Sequence, residues 1–179
     1  LARLRLATEF REIQEKLHLS VYRDRFALHQ RMALRPADLS QAMLDLQPEI
    51  VHFSGHGSGA DGLYLEDGWG QGKLVTGEAL AALFRAFADR TKAVILNACF
   101  TEPQAEAIAE HIDFVIGTRQ EISDDTATAF SVGFYQALGT GRSIEDAFTL
   151  GCAQIQLQGL GEHLVPVLLT KPGKVSPDA

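Results

Sequence analysis

A histidine and a cysteine each follow a short apolar segment of this chain. His56 comes after residues 50–54, and Cys99 after residues 93–98. If these segments are neighbouring parallel strands, His56 and Cys99 meet at one edge of the sheet, where a base can take the proton of a nucleophilic thiol. The backbone N–H groups of Gly57 and Cys99 are candidate donors to an oxyanion, and each such donor is typically worth about 3 kcal/mol of barrier. The pattern therefore predicts acyl-transfer chemistry at a thiol.

The elements that must position these two residues alternate between helices and strands. Periodicity and start and stop signals predict helices over 4–17, 36–46, 76–88, 103–111, 124–138 and 144–157. They also predict strands over 24–34, 50–54, 93–98, 113–117 and 165–169, and a hairpin over 62–75. Uniformly apolar strands that alternate with helices indicate an α/β fold with a mostly parallel sheet covered by helices on both faces.

Composition limits the classes of protein that this sequence can encode. The chain has 179 residues, 46% of them hydrophobic and 22% charged, which indicates one folded domain and excludes a disordered chain. The net charge of −7 argues against a general nucleic-acid binder, and no apolar run is long enough to span a bilayer. Residues 1–6 lack the continuous apolar core of a signal peptide, and the chain has two cysteines, so we expect a reduced, cytoplasmic protein. We expect a folded domain over residues 1–170 and a flexible tail over 171–179.

Each of the two reactive residues has an ordinary structural interpretation when taken alone. A single cysteine at a strand end is usually a small core residue, and a histidine among glycines is usually a loop residue. Their order, strand then His-Gly and strand then Cys, favours catalysis. His52 mimics one half of a metal-binding pair with His56, but two such positions on a strand share no helix face, so His52 is expected to be a core histidine. Cys152 lies in an apolar helical pattern and is expected to be in the core.

Several segments give the chain a resemblance to a known family. They include Val51-His52-Phe53-Ser54-Gly55-His56-Gly57, Leu96-Asn97-Ala98-Cys99, Ile122-Ser123-Asp124, Gly133-Phe134-Tyr135-Gln136-Ala137-Leu138 and Glu162-His163-Leu164-Val165-Pro166-Val167. With these motifs the chain resembles the CHAT domains, bacterial relatives of caspases and separases, over about Leu4 to Leu169.

The resemblance implies a fold and an activity. The fold would be a caspase-like αβα sandwich, with a mostly parallel central sheet and a small hairpin after His56. Cys99 would be the nucleophile and His56 the general base or acid, and the N–H groups of Gly57 and Cys99 would form the oxyanion hole. The activity would be endopeptidase cleavage of a protein substrate, with no metal or organic cofactor.

Specificity for the residue before the scissile bond, P1, has less support in the sequence. In caspase relatives the residue two before the nucleophile lines the P1 pocket, and here it is the neutral Asn97. Asp124 and Asp125 are expected near the other wall, where a carboxylate would pair with an Arg or Lys side chain at P1. One of them could instead cap the following helix, and Arg119 could instead favour an acidic P1 residue.

The family likeness also suggests a larger context. Family members begin with a buried strand before the helix at 4–17, and this sequence shows none, so that strand is expected upstream or removed. CHAT domains are commonly effector modules attached to sensor or regulatory domains, which suggests a partner chain or domain upstream and a role in bacterial defence or death-like pathways. Two alternatives stay open: an inactive caspase-fold interaction module, and a thiol hydrolase that acts on a small molecule.

Overall fold

The structure, a computed structural model, describes residues 6–66, 69 and 71–174. These residues form two compact units. One comprises the chain up to Arg31 together with Ile122–Pro166, and the other comprises Met32–Glu121 together with the chain from Val167.

The second unit contains the sheet. Its strands and helices are β1 (Ile50–Ser54), β2 (Leu63–Glu66), β3 (Gly72–Val75), β4 (Ala93–Asn97), β5 (Phe114–Thr118), α2 (Pro36–Leu46), α3 (Gly77–Ala86) and α4 (Glu102–Ala109). β6 (Pro166–Thr170) begins at the last residue of the first unit and completes a four-stranded sheet of order β1-β4-β5-β6. β1, β4 and β5 are parallel, whereas β2 and β3 form a separate antiparallel hairpin. The predicted α/β fold with a mostly parallel sheet is confirmed.

The apolar sequence of β4 explains why this strand lies inside the sheet. Every residue of this strand is buried, and a continuous apolar run of this kind is typical of a parallel strand with neighbours on both sides. On one face, Val94 and Leu96 pack in a core with α2, α3 and α4, to which Met43, Phe84 and Ile108 contribute. This core fixes the end of β4, and therefore the start of the loop that carries Cys99.

The first unit is helical. It contains α1 (Leu6–His18), α5 (Asp124–Gly139) and α6 (Ile144–Leu157), and α5 packs against both of the others. The rings of Phe130 and Phe134 stack with centroids 5.8 Å apart, and Phe148 meets Phe130 edge-on with centroids 5.9 Å apart.

Among the described residues, no helix combines the length and apolar character that a bilayer crossing requires.

The predicted strand over 24–34 is wrong. The structure has a short 3-10 turn at Arg23–Arg25, and residues 26–32 belong to no strand. Most of these side chains are exposed, and Ala33 adopts a positive φ of 54°. An alternating pattern makes a strand only where another strand supplies the hydrogen-bond ladder, and no described strand pairs with this segment.

The other predicted elements agree with the structure to within a few residues. α4 ends at Ala109, two residues before the predicted end, and α3 ends at Ala86. Of the predicted tail, Lys171 donates its N–H to the Asp113 carbonyl oxygen at 3.1 Å. Residues 175–179 lie outside the described residues.

Candidate functional site

The register of β1 and β4 aligns the two loops that follow these strands. Ser54 lies opposite Asn97 in the parallel pair. His56 and Cys99 therefore each lie two residues beyond the same paired position. The structure thus brings the His-Gly and Cys segments to one edge of the sheet, as the spacing predicts.

The backbones of Gly57 and Cys99 are in direct contact. A Cβ atom on Gly57 would overlap the carbonyl oxygen of Cys99 and would lie 3.0 Å from its carbonyl carbon and 3.4 Å from its nitrogen. This close approach is possible only because glycine has no side chain. Gly57 therefore sets how near the two loops can come.

The hairpin holds the loop that contains His56. The Tyr64 N–H donates to the His56 carbonyl oxygen at 3.1 Å, and the Ser58 N–H donates to the Gly62 carbonyl oxygen at 2.9 Å. These two bonds flank an antiparallel bridge between Gly57 and Leu63. In such a pairing the flanked residues point their own N–H groups away from the partner strand, so the bridge does not use the N–H of Gly57.

A strained residue follows the cysteine. Phe100 has φ of +56°, which a bulky L-residue rarely adopts, and its ring is partly exposed. Its N–H donates to the Gln120 carbonyl oxygen at 3.2 Å. Backbone strain of this kind persists only where the surroundings fix the chain. The turn at Cys99 is therefore held in place by its neighbours.

Two buried threonines provide that restraint. The Thr101 hydroxyl lies 3.0 Å from the Leu96 carbonyl oxygen, and the Thr118 hydroxyl donates to the Ala98 carbonyl oxygen. The Thr118 N–H donates to Thr101 Oγ1 at 3.0 Å, and the Thr101 N–H donates to Thr118 Oγ1 at 3.3 Å. Both side chains are buried. The pair ties the start of α4 and the end of β5 to the two residues on either side of Asn97.

Thr101 and Thr118 were not among the site residues predicted from the sequence. Thr118 ends β5, which pairs with the strand before Cys99, so its place at a strand end is the signal that identifies it. Thr101 directly precedes the first residue of α4, a position that resembles an ordinary helix cap, but its side chain makes no cap bond to that helix. Its role in the loop is visible only from the contact with Thr118.

The residues predicted to line a P1 pocket lie in different units. Asn97 belongs to the unit with His56 and Cys99 and is 6% exposed, whereas Asp124 and Asp125 belong to the helical unit. Asp124 is half-buried and Asp125 is exposed. A shared pocket for these residues stays a prediction.

Ser123, not an aspartate, is the N-cap of α5. The Ser123 hydroxyl oxygen accepts from the Thr126 N–H at 3.2 Å, so the capping role considered for Asp124 or Asp125 belongs to Ser123. Glu162 accepts from the Ser123 N–H at 3.2 Å. Burial raises the pKa of Glu162, but hydrogen bonds from Thr126 and Ser123 outweigh that effect and lower it below its usual value. The start of α5 is therefore fixed by a charged acceptor.

Arg119 is engaged by a carboxylate. Its guanidinium Nε lies 3.5 Å from Glu102 Oε1, and its side chain is 61% exposed. Glu102 is the first residue of α4, three residues after Cys99. The pair places one positive and one negative charge near the loop that carries Cys99, so this edge carries no uncompensated positive charge from Arg119.

The second cysteine lies in a different environment from Cys99. Cys152 lies on α6 in the helical unit, and burial raises the pKa of its thiol to about 11. Such a thiol is almost entirely protonated at neutral pH.

In the described part of the chain, no group of three His, Cys, Asp or Glu side chains is arranged to hold a metal ion.

Comparisons with known proteins identify the family of this chain and proteins that it resembles. The CHAT domain family matches residues 5–162 of the chain. A protein named Roc-COR-CHAT protease, from an unknown prokaryotic organism, is 27% identical over 143 residues, which cover 76% of this chain and 14% of that protein. A probable protease from Gillisia limnaea is 25% identical over 139 residues, which cover 74% of this chain and 24% of that protein.

One solved structure shares the fold. It is a secreted C11 cysteine protease from Bacteroides thetaiotaomicron in complex with an irreversible peptide inhibitor. It matches with a TM-score of 0.51 and 15% identity, over 68% of this chain and 39% of that one. At this identity the likeness concerns the fold, which is the caspase-like arrangement expected from the sequence.

Proposed function

Since the chain belongs to the CHAT domain family, we propose that it is a cysteine endopeptidase in which Cys99 is the nucleophile and His56 the general base. The observation that carries this proposal is the backbone contact between Gly57 and Cys99 at the ends of paired parallel strands. Two relatives named as proteases support a peptidase. Retention of both a histidine and a cysteine in these loops favours an enzyme over an inactive module.

The reaction would proceed by two acyl transfers. His56 takes the proton of the Cys99 thiol, and the sulfur attacks the carbonyl carbon of the scissile peptide bond. The carbonyl oxygen becomes an oxyanion, which accepts hydrogen bonds from the N–H groups of Gly57 and Cys99. The intermediate collapses to a thioester as His56 protonates the departing amine. A water molecule, deprotonated by His56, then attacks the thioester. The carbon–sulfur bond breaks, the new carboxyl end of the substrate leaves, and His56 returns the proton to the sulfur of Cys99.

For specificity, we propose an Arg or Lys residue at P1. Asp124 would pair with the cationic side chain, with Asp125 and Asn97 as further lining residues. The support is the negative charge that Asp124 and Asp125 bring to the first turn of α5. Ser123 is the N-cap of this helix, so neither aspartate serves as its cap. The ion pair of Arg119 with Glu102 also argues against Arg119 as a receptor for an acidic P1 residue.

The regulatory context is also a proposal. The chain spans 14% and 24% of the length of the two relatives. The relative named Roc-COR-CHAT protease bears the names of other domains beside CHAT. We propose that this chain acts as the effector module of a larger regulated bacterial protein in the cytoplasm. There it would cleave a partner protein in a defence or death-like response, under the control of upstream sensor or regulatory domains.

A fluorogenic peptide library varied at P1 tests the enzyme and its specificity together. We expect cleavage after Arg or Lys by the full chain and by Cys152→Ser, and no cleavage by Cys99→Ala or His56→Ala. Asp124→Asn should lower kcat/KM for basic P1 residues by about 10- to 100-fold, the loss of a charge-assisted hydrogen bond, with little change for neutral ones.

Three results would correct the proposal at different points. Cleavage that survives in Cys99→Ala would remove Cys99 from the mechanism. Cleavage after other residues, unchanged by Asp124→Asn, would retain the peptidase and discard the acidic pocket. Lack of peptide cleavage together with Cys99-dependent turnover of small esters or amides would favour the small-molecule hydrolase.

A further inference from the structure

A buried glutamine connects the two loops of the proposed site. Gln104 lies on α4, five residues after Cys99, and is 1% exposed. Its side-chain Nε2 donates to the carbonyl oxygen of Gly59 at 2.7 Å. Gly59 lies three residues after His56 and begins a single 3-10 turn, Gly59–Asp61. One hydrogen bond therefore joins the helix after the cysteine to the loop after the histidine.

The orientation of this amide follows from its partner. A carbonyl oxygen can only accept, so the atom that faces Gly59 must be the NH₂ group of Gln104 and not its oxygen. Gly77, the first residue of α3, confines the rest of the side chain: a Cβ there would lie 3.3 Å from Gln104 Cα and 3.5 Å from Gln104 Cγ. The glutamine is thus held by packing and by a single directed bond.

The side-chain oxygen of Gln104 lowers the stability of the folded protein. Gln104 Oε1 is buried and has no hydrogen-bond partner among the described residues. A buried acceptor without a partner destabilises a fold, whereas an apolar side chain of the same shape carries no such penalty. Stability alone would therefore favour methionine at this position. The glutamine gains only the bond to Gly59.

We infer that Gln104 is a positioning residue for the reaction: it holds the Gly59 turn, and through it His56 and Gly57, against the loop that carries Cys99. The inference rests on the proposed function. Gly57 lies between His56 and the tethered turn and is in contact with Cys99, so movement of the turn shifts an oxyanion donor relative to the sulfur. Misplacement of such groups by about 1 Å lowers rates by about 100-fold.

Gln104→Met in the full chain tests this role, because methionine keeps the volume and removes both polar atoms. Hydrogen exchange followed by mass spectrometry should show faster exchange in residues 56–62 and unchanged exchange in β4.

With a peptide substrate chosen from the fluorogenic library, kcat of Gln104→Met should fall by about 10- to 100-fold and KM should stay within about twofold of the wild-type value. The melting temperature should be equal to or higher than that of the wild type. Glu106→Gln, an exposed change on the same helix, is the matched control.

A second variant keeps the test informative if methionine disturbs the fold. Gln104→Glu retains the shape but turns a carboxylate oxygen toward the Gly59 carbonyl, so both exchange and kcat should change at least as much as in Gln104→Met. Unchanged exchange in residues 56–62 for both variants overturns the tether. Faster exchange with an unaltered kcat overturns the positioning role. No Cys99-dependent hydrolysis by the wild type, with the exchange difference intact, overturns the proposed function instead.

Discussion

The Cα atom of Gly57 lies so close to the backbone of Cys99 that a methyl group there would overlap the Cys99 carbonyl oxygen. This contact joins two segments that are far apart in the sequence and follow neighbouring parallel strands. Any side chain at position 57 would therefore alter the geometry of the proposed oxyanion hole.

Gly57→Ala should therefore impair both folding and catalysis. The added methyl group must displace backbone, and overpacking of this kind costs about 1–3 kcal/mol of unfolding free energy. Peptide cleavage should fall by at least about 100-fold because the donor at residue 57 moves. Urea denaturation and kinetic assays measure the two effects. Gly161→Ala, where the added methyl meets nothing within 4 Å, should behave like the wild type.

The two cysteines should differ in their reaction with iodoacetamide. At pH 7 the label should enter Cys99 in the wild type and in Cys152→Ser at the same rate. In Cys99→Ala it should enter Cys152 very slowly, because burial raises the pKa of Cys152 to about 11. Labelling of Cys152 should increase as the pH approaches that value. Mass spectrometry of the digested protein measures both sites, and rapid labelling of Cys152 at pH 7 would contradict the structure.

The threonine pair should be energetically coupled. Thr101→Val and Thr118→Val each leave buried backbone groups without partners, so each should lower the free energy of unfolding by about 1–3 kcal/mol. A double-mutant cycle should give a coupling energy of about 0.5–3 kcal/mol. The exposed Thr170→Val should change stability by less than about 0.5 kcal/mol. Strict additivity of the two substitutions would show that the hydroxyl groups act independently.

Asp113 and Lys174 should make stability depend on acid pH. Lys174 Nζ lies 2.8 Å from the Asp113 carboxylate, and this hydrogen bond, helped by nearby lysines, lowers the pKa of Asp113 below 3.8 despite partial burial. A lowered folded-state pKa stabilises the protein above the unfolded value, and the contribution is lost as the pH falls through the folded value. Because Asp113 is 35% exposed, solvent screening keeps the contribution at about 1 kcal/mol or less.

Denaturation of Asp113→Asn and Lys174→Met across the acid range measures that contribution. Both variants should be less stable than the wild type at pH 7. The difference for Asp113→Asn should disappear well below pH 3.8, where the wild-type carboxylate is also protonated. A difference that grows on acidification would have the wrong sign for a lowered pKa.

Local signals in the sequence were sufficient for most elements. Pro36 begins α2 as its fixed φ suits a first helical turn, and Ser143 caps α6 by accepting from the Asp146 N–H. The segment 24–34 shows where local signals fail. Its alternation fits a strand, but strand formation needs a partner, which no local pattern supplies.

By itself, the sequence determined the order of most helices and strands, and the appearance of His56 and Cys99 after two short apolar runs. These features depend on backbone preferences and hydrophobic periodicity, which neighbouring residues set. Only the tertiary structure decided the Gly57–Cys99 contact, the Thr101–Thr118 pair and the bond from Gln104 to Gly59. Each depends on the register of β1, β4 and β5 and on the packing of α3 and α4 against them. Such contacts join residues far apart in the chain and leave no trace in the local pattern.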